Sequence, residues 1–257
     1  MHRSLTSLFA LLISLSAPAR AQGTSAHVDT VYWKASGELA FTDVSGNRTL
    51  SLLTTGLRAN LVGHRVVELS TVLGVRYGRS NGDVAAENYD AQVDLRFLPR
   101  RSVSPFISGK ASRDPVRNLN LRVSAALGAD FNLFQRDDQR LSFGVALLQD
   151  YENRDIPAGS SGASEVSLTR FNLRAYFGAD VREGVRAEHR STIEPAANDL
   201  GDYRFTSQTS LRVAVSRRLG VVTTYTFNRD ETPPPGVLFK DDRTLSVGLV
   251  VDFGKKT

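Results

Sequence analysis

The 257-residue chain contains no cysteine, which excludes disulfide staples and thiolate metal sites. Histidine is scarce at four residues, and neither His27 nor His64 has a second ligand at metal-binding spacing. Beyond residue 17 no apolar run approaches the ~20 residues that a membrane-spanning helix needs. Glycine-rich phosphate loops, nucleophile elbows and zinc signatures are absent. These absences point to no cofactor and no metal. Dominance by charge of one sign is missing too. Arg3 and Arg20 belong to the leader described next, so the 32 basic residues fall to 30 in the mature chain, against 27 acidic. That near balance argues against nucleic acid as a partner.

The first 21 residues read as a secretory signal. His2 and Arg3 form a basic start, Leu5–Ala17 an apolar run too short for an anchor helix, and Ala19-Arg20-Ala21 a small-x-small cleavage site. Residues 22–32 then form an N-terminal lead, residues 33–254 a single barrel and residues 255–257 a short tail.

What the mature chain does contain is alternation. From Asn118 to Leu133, Arg122, Ser124, Asp130 and their even-numbered neighbours fall on one face. Leu119, Leu121, Val123, Leu127, Phe131 and Leu133 fall on the other. Successive strand residues point to opposite faces, so this is a sheet with one apolar and one charged side. The same pattern predicts twelve strands: Trp33–Thr42, Leu50–Leu61, Val66–Tyr77, Tyr89–Leu98, Val103–Ser112, Asn118–Leu133, Leu141–Tyr151, Val166–Gly178, Val185–Ile193, Tyr203–Arg217, Val221–Asn228 and Thr244–Phe253. Tight connections (Val62–Arg65, Pro99–Ser102, Gln135–Arg140, Arg182–Gly184, Arg218–Gly220) alternate with longer ones. The clear long loops are Ser80–Asn88, Glu152–Glu165, Glu194–Asp202 and Arg229–Arg243. If the chain starts in the periplasm, every tight turn lies at the periplasmic rim and every long loop faces outside.

A soluble sandwich or lipocalin-like barrel would also show alternating strands, with its apolar face turned inward. Here neighbouring strands put too many charges on the polar face for that arrangement. The apolar face keeps its aromatics near strand ends. Trp33, Phe97, Phe131, Phe143, Phe177 and Phe253 map to one end, and Phe41, Tyr77, Tyr89, Tyr151, Tyr203, Phe205, Tyr225 and Phe227 to the other. Phe171 lies near mid-strand. Two aromatic belts flanking an aliphatic band fit the two interfaces of a bilayer. The expected fold is all-β: an antiparallel up-and-down transmembrane β-barrel of about twelve strands, closed because lipid leaves no partner for an open edge.

Motifs near both ends carry a family resemblance. Trp33 with Ser36-Gly37-Glu38, then Ser45-Gly46-Asn47 before Arg48-Thr49-Leu50, begin it. Asp230-Glu231-Thr232-Pro233-Pro234-Pro235-Gly236-Val237, Lys240-Asp241-Asp242 and the strand from Thr244 to Phe253 end it. Together they resemble the salt-induced outer-membrane protein family, known mainly as a domain of unknown function. The resemblance implies a Gram-negative outer-membrane barrel, a link to salt or osmotic stress and no established activity. The last strand also resembles the signal read by the barrel-assembly machinery, with Ser246, Gly248, Val251 and Phe253 at the expected spacing. Gly254-Lys255-Lys256-Thr257 follows, where such barrels often end on the aromatic. Outer-membrane lipids, that machinery and small ionic solutes are the expected partners.

Candidate chemistry lies on the polar face. The basic set is Lys34, Arg58, Arg76, Arg96, Lys110, Arg122, Arg170, Arg174, Arg186, Arg190, Arg204 and Arg212. The acidic set is Glu38, Glu68, Asp90, Asp94, Asp130, Asp150, Glu152, Glu188, Glu194 and Asp252. Charges withdrawn from water pair up, and the planar guanidinium suits such pairing. Two readings follow: a lumen filled by ion pairs, or a narrow aqueous channel for small ionic solutes in which a slight basic excess favours anions. Gly56, Gly74, Gly128, Gly144 and Gly248 on that face make room for neighbouring arginines. The alternative role is a lipid-acting enzyme of the phospholipase or acyltransferase type, since His189 and Ser191 both project to the apolar face. At i and i+2 their backbones stand about 6–7 Å apart, which predicts no direct nucleophile–base hydrogen bond. Asp230, Glu231, Asp241 and Asp242 could hold a divalent cation in the last long loop, or form a solvated acidic loop.

Overall fold

The computed structural model describes residues 32–44, 50–63, 66–136, 138–237 and 240–256. The predicted leader, most of the lead, His27, His64 and the Ser-Gly-Asn motif lie outside the described residues. The described chain forms twelve antiparallel strands: β1 (Tyr32–Val44), β2 (Leu50–Gly63), β3 (Val67–Ser80), β4 (Asp83–Phe97), β5 (Val103–Asp114), β6 (Leu119–Gln135), β7 (Gln139–Arg154), β8 (Glu165–Arg182), β9 (Val185–Pro195), β10 (Tyr203–Ala214), β11 (Leu219–Asp230) and β12 (Asp241–Lys256). Each pairs with its chain neighbours, and β12 pairs back onto β1 from Tyr32↔Lys256 to Ala40↔Gly248, closing the barrel. At 11 to 18 residues the strands exceed the ~5–6 of a typical soluble strand and suit a tilted membrane crossing.

Polarity is inverted relative to a soluble protein. Leu127, Leu147 and Leu245 face outward at 57%, 57% and 67% exposure, whereas Asp150, Glu152 and Arg170 face inward at 2% or less. Burying charges while exposing leucines is unfavourable in water and favourable in lipid, so the wall is a bilayer-facing one. Trp33, Phe131, Phe143, Phe177 and Phe253 are exposed near the tight-turn rim, and Tyr89, Tyr151 and Tyr225 towards the other. This is the predicted transmembrane β-barrel.

Most strand ends shift by a few residues from the pattern-based ones, and two of the shifts bear on the fold. The predicted long loop Ser80–Asn88 is strand, with a two-residue turn at Asn81-Gly82. Both residues have positive φ, 53° and 94°, as the mirror-image hairpin turn requires. At the far end β12 runs on to Lys256, against β1, where the predicted barrel stopped at Gly254.

Candidate functional site

The lumen is where the strands bring chemistry together, and its first structure is a chain of charge across one wall. Asp130 on β6 accepts from Arg96 Nε on β4 at 3.0 Å and from Arg174 Nε and Nη2 on β8 at 2.8 and 2.7 Å. Arg96 Nη1 continues to Glu68 on β3 at 3.1 Å. Asp130 is thus a two-sided acceptor holding two guanidinium planes. Beneath them lies Phe106, 1% exposed, with Arg174 Cζ 3.5 Å from its ring centroid. A cation over an aromatic face gains further stabilisation where water is scarce. Gly144 makes this approach possible: a Cβ there would strike the Asp130 carboxylate and lie 2.8 Å from Arg174 Cγ. Phe106 also packs with Ala126, Ala146 and Leu148, so this part of the lumen is filled.

Nearer the long-loop rim a denser network crosses the lumen. Glu152 on β7 receives Arg122 at 2.7 Å, Arg154 at 2.7 Å and Arg204 of β10 at 3.3 Å. Neighbouring Asp150 receives Ser124 Oγ at 2.5 Å, and Arg204 as well. Arg170 lies 3.5 Å from Asp150 and 3.2 Å from Asp202. Arg122 approaches Asp230 of β11 at 3.7 Å. Because β10 and β11 stand across from β6 and β7, these contacts are struts through the interior.

Above them, described residues of the last long loop and of β12 make contacts across the mouth. Arg117, in a single 3-10 turn (Pro115–Arg117) after β5, reaches Asp242 of β12 at 2.7 Å, and Asn118 Nδ2 donates to Pro235 O at 2.8 Å. Glu231 is held by Lys240 at 2.5 Å and Arg229 at 2.8 Å. Those donors keep its carboxyl below the ordinary value of 4.5, Lys240 contributing most. Asp241 faces Arg229 at 3.1 Å. Each acid considered for a divalent cation therefore faces a cation of the protein itself, which replaces that expectation with ion pairing.

The opposite wall is different. A cavity of about 190 Å³ runs along β1–β3 and β9–β12, from mid-barrel towards the tight-turn rim. Glu38, Arg58, Arg186, Glu188, Arg190 and Arg212 supply its charges, between small or aliphatic residues such as Ser36, Gly56, Val72 and Val250. Arg186 is spoken for by Glu188 at 2.9 Å and Asp180 at 2.8 Å, and Arg212 pairs with Asp252. Arg190 lies 3.8 Å from Glu188 and 5.0 Å above the Tyr176 ring. Arg58 makes no ion pair within 4.0 Å to a described carboxylate, and its charged surroundings include Arg190 as well as Glu188 and Glu38. The lining thus carries four arginines against two glutamates, and Arg58 and Arg190 lack the close ion pairs that Arg186 and Arg212 make.

The remaining predicted lumen residues do less. Asp94 accepts from Gln92 at 2.7 Å, while its other oxygen and Arg76 Nε are buried with no hydrogen-bond partner among the described residues. Phe106, Tyr176, Arg154, Asp202 and Asp230 were missing from the predicted set. Phe106 and Tyr176 share parity with Ser104 and Arg174, so strand alternation alone places them in the lumen. At the seam, Ser246 and Gly248 face inward, Ser246 Oγ lying 3.5 Å from Thr224 O, and Phe253 is 52% exposed outward with Val251 on its face.

On the outer wall one expectation is overturned. His189 Nε2 and Ser191 Oγ are 2.7 Å apart, a direct hydrogen bond where backbone spacing predicted none. The imidazole is long enough to bridge the gap that separates the two backbones.

A family model matches residues 37–253, that of DUF481, a protein family of unknown function. The chain belongs to this family. The match agrees with the resemblance carried by the terminal motifs and says nothing of salt. No curated protein matches the chain in sequence. Similar solved structures include an outer-membrane channel from Pseudomonas putida F1, at 12% identity over 92% of this chain and 100% of that one, with a TM-score of 0.49. The translocator domain of the autotransporter NalP from Neisseria meningitidis shares 10% identity over 90% of both chains, TM-score 0.47. The NanC porin shares 11% over 88% of this chain and 99% of that one, TM-score 0.46. With TM-scores below 0.5, nothing about this family member's activity follows from them.

Proposed function

We propose that the protein is a bacterial outer-membrane barrel whose lumen passes small ions, anions in preference, along the β1–β3 and β9–β12 wall. The observation that carries this reading is the cavity bordered by Arg58 and Arg190, which are held less closely by acids than the arginines of the facing wall. Fixed cations beside water-sized space lower the barrier for anions and raise it for cations. The struts and the contacts that cross the mouth keep the passage narrow, so it suits inorganic ions and small carboxylates rather than sugars. The apolar wall, the aromatic belts and the predicted leader support an outer-membrane location, with membrane lipids around the wall. The seam residues Ser246, Gly248, Val251 and Phe253 fit recognition by the barrel-assembly machinery. The salt or osmotic role rests on the family resemblance alone, and small-ion conduction is an activity through which it would act.

Refolded mature protein in a planar bilayer tests this. The expected result is a small conductance with anion preference. Arg58→Ala combined with Arg190→Ala should reduce that preference by roughly half or more, because two of the fixed charges lining the passage disappear. Absence of conductance, or unchanged selectivity in the double variant, overturns the reading.

A further inference from the structure

The outer wall carries a hydrogen-bonded nucleophile, base and hydroxyl that conduction does not use. Ser191 Oγ lies 2.7 Å from His189 Nε2, and His189 Nδ1 lies 2.8 Å from Thr209 Oγ1. The register between β9 and β10 sets Thr209 directly across from His189, and Ser207 directly across from Ser191. All four share the lipid-facing side with Ile193, Phe205 and Leu211.

A simpler account is that polar side chains facing lipid merely satisfy one another. The same wall shows what that looks like: Gln149 bonds Ser167 at 3.0 Å and Thr169 at 2.8 Å, with no base in the set. The His189 patch adds two things. It contains an imidazole aligned between a serine and a second hydroxyl, and Ser191 borders an apolar groove of about 290 Å³ formed with Phe143, Val145, Leu173, Ala175 and Phe205. Ser191 also stands one outward-facing position below the Ile193–Phe205 pair. That is the lower edge of the long-loop aromatic belt, where lipid ester groups give way to acyl chains.

We propose that Ser191 and His189 form an acyl-transfer site for carboxylic esters of membrane lipids, the groove receiving the acyl chain. With the Nδ1 proton donated to Thr209 Oγ1, Nε2 is the free acceptor for the Ser191 proton. Ser191 Oγ attacks the ester carbonyl carbon as its proton passes to Nε2. The tetrahedral intermediate collapses, the bond to the lipid alcohol breaks, and that alcohol leaves with the proton from Nε2. Water then attacks the acyl-serine by the same route, releasing the fatty acid and restoring Ser191. The Ser207 hydroxyl, opposite the nucleophile, is the donor placed for the developing oxyanion. Thr209 is a positioning residue that fixes the tautomer. The site needs the apolar wall to face lipid and is independent of conduction, so a sealed lumen leaves it standing.

The test uses the full mature chain refolded in phospholipid vesicles, with a fluorophosphonate probe for the activated serine and fatty-acid release as turnover. Wild type should label and release fatty acid, and Ser191→Ala should do neither. His189→Gln should slow both by about 100-fold or more, the usual contribution of a general base. Thr209→Val should slow labelling while Thr209→Ser restores it, a rescue that a packing role would not produce. Ser167→Ala, in the base-free cluster, should match wild type. Folding of each variant is checked by heat-dependent gel mobility. A folded wild type that neither labels nor turns over lipid, or labelling that persists in Ser191→Ala, overturns the proposal.

Discussion

The two halves of the lumen are built from the same residue types and do opposite things. Along β4–β8, and across to β10, carboxylates are shared: Asp130 serves Arg96 and Arg174, and Glu152 serves Arg122, Arg154 and Arg204. Along β1–β3 and β9–β12, Arg58 and Arg190 lack close carboxylate partners and border open space. What differs is the fraction of each charge that is satisfied. A densely paired wall braces the barrel, and a loosely paired one leaves fixed charge beside open space.

Removing the hub of the braced wall should show the largest effect. Asp130 is 3% exposed, and its loss leaves two guanidiniums facing each other over Phe106. Breaking a buried pair from one side costs about 3–5 kcal/mol, and the lower end applies because Arg96 and Arg174 retain some access to lumen water. Asp130→Ala should therefore lower stability to urea in lipid vesicles by about 3 kcal/mol. Glu38→Ala, on the loosely paired wall, should cost less than about 1 kcal/mol. Equal losses in the two variants would mean that the halves do not differ in kind.

The contrast also marks what alternation made legible. Parity along Asn118–Leu133 assigned Arg122 and Asp130 to the lumen, and the same rule gave Arg96, Arg174 and Arg204, because side-chain direction is a local property of a strand. Partnership is not local. Arg204 meets Asp150 and Glu152 three strands away, and Arg58 meets none of the described acids; both outcomes depend on closure, tilt and the reach of flexible side chains. The Ser80–Asn88 stretch looked like a loop because Ala85, Ala86 and Asn88 have little strand propensity, yet pairing with β3 and the Asn81-Gly82 turn override it. Backbone spacing likewise does not reveal the His189–Ser191 bond, because that bond forms between the ends of the side chains.

Glycine gives the next contrast, at a smaller amplitude. A methyl group at Gly144 meets the Asp130 carboxylate and the Arg174 side chain, whereas one at Gly56 finds its nearest atoms, Glu38 Cβ and Leu73 O, at 3.9 Å. Gly144→Ala should thus cost about 1–3 kcal/mol by overpacking, while Gly56→Ala should change stability by less than about 1 kcal/mol. The same urea titration checks both, and a neutral Gly144→Ala would show that the Asp130–Arg174 pair has room to move.

The smallest effect belongs to the mouth, where pairing resembles the braced wall but lies in the open. Glu231 is held by Lys240 and Arg229, and its carboxyl titrates below 4.5. A depressed carboxylate contributes order that is complete above its unfolded value and fades as pH falls through the folded one. The backbone reports on this directly, since Glu231 N donates to Tyr203 O at 3.0 Å and Asp230 N to Lys240 O at 2.9 Å. Protonating Glu231 removes the anion that gathers Lys240 against Arg229, so both amides should exchange hydrogen faster, after correction for intrinsic rates, between about pH 6 and about pH 3.5. Glu231→Gln should show the faster exchange already at neutral pH, with amides of β6 and β7 unchanged. Exchange at these two amides that ignores both pH and the substitution would show that Asn118 and Arg117 alone hold the loop, and that charge at the mouth is incidental.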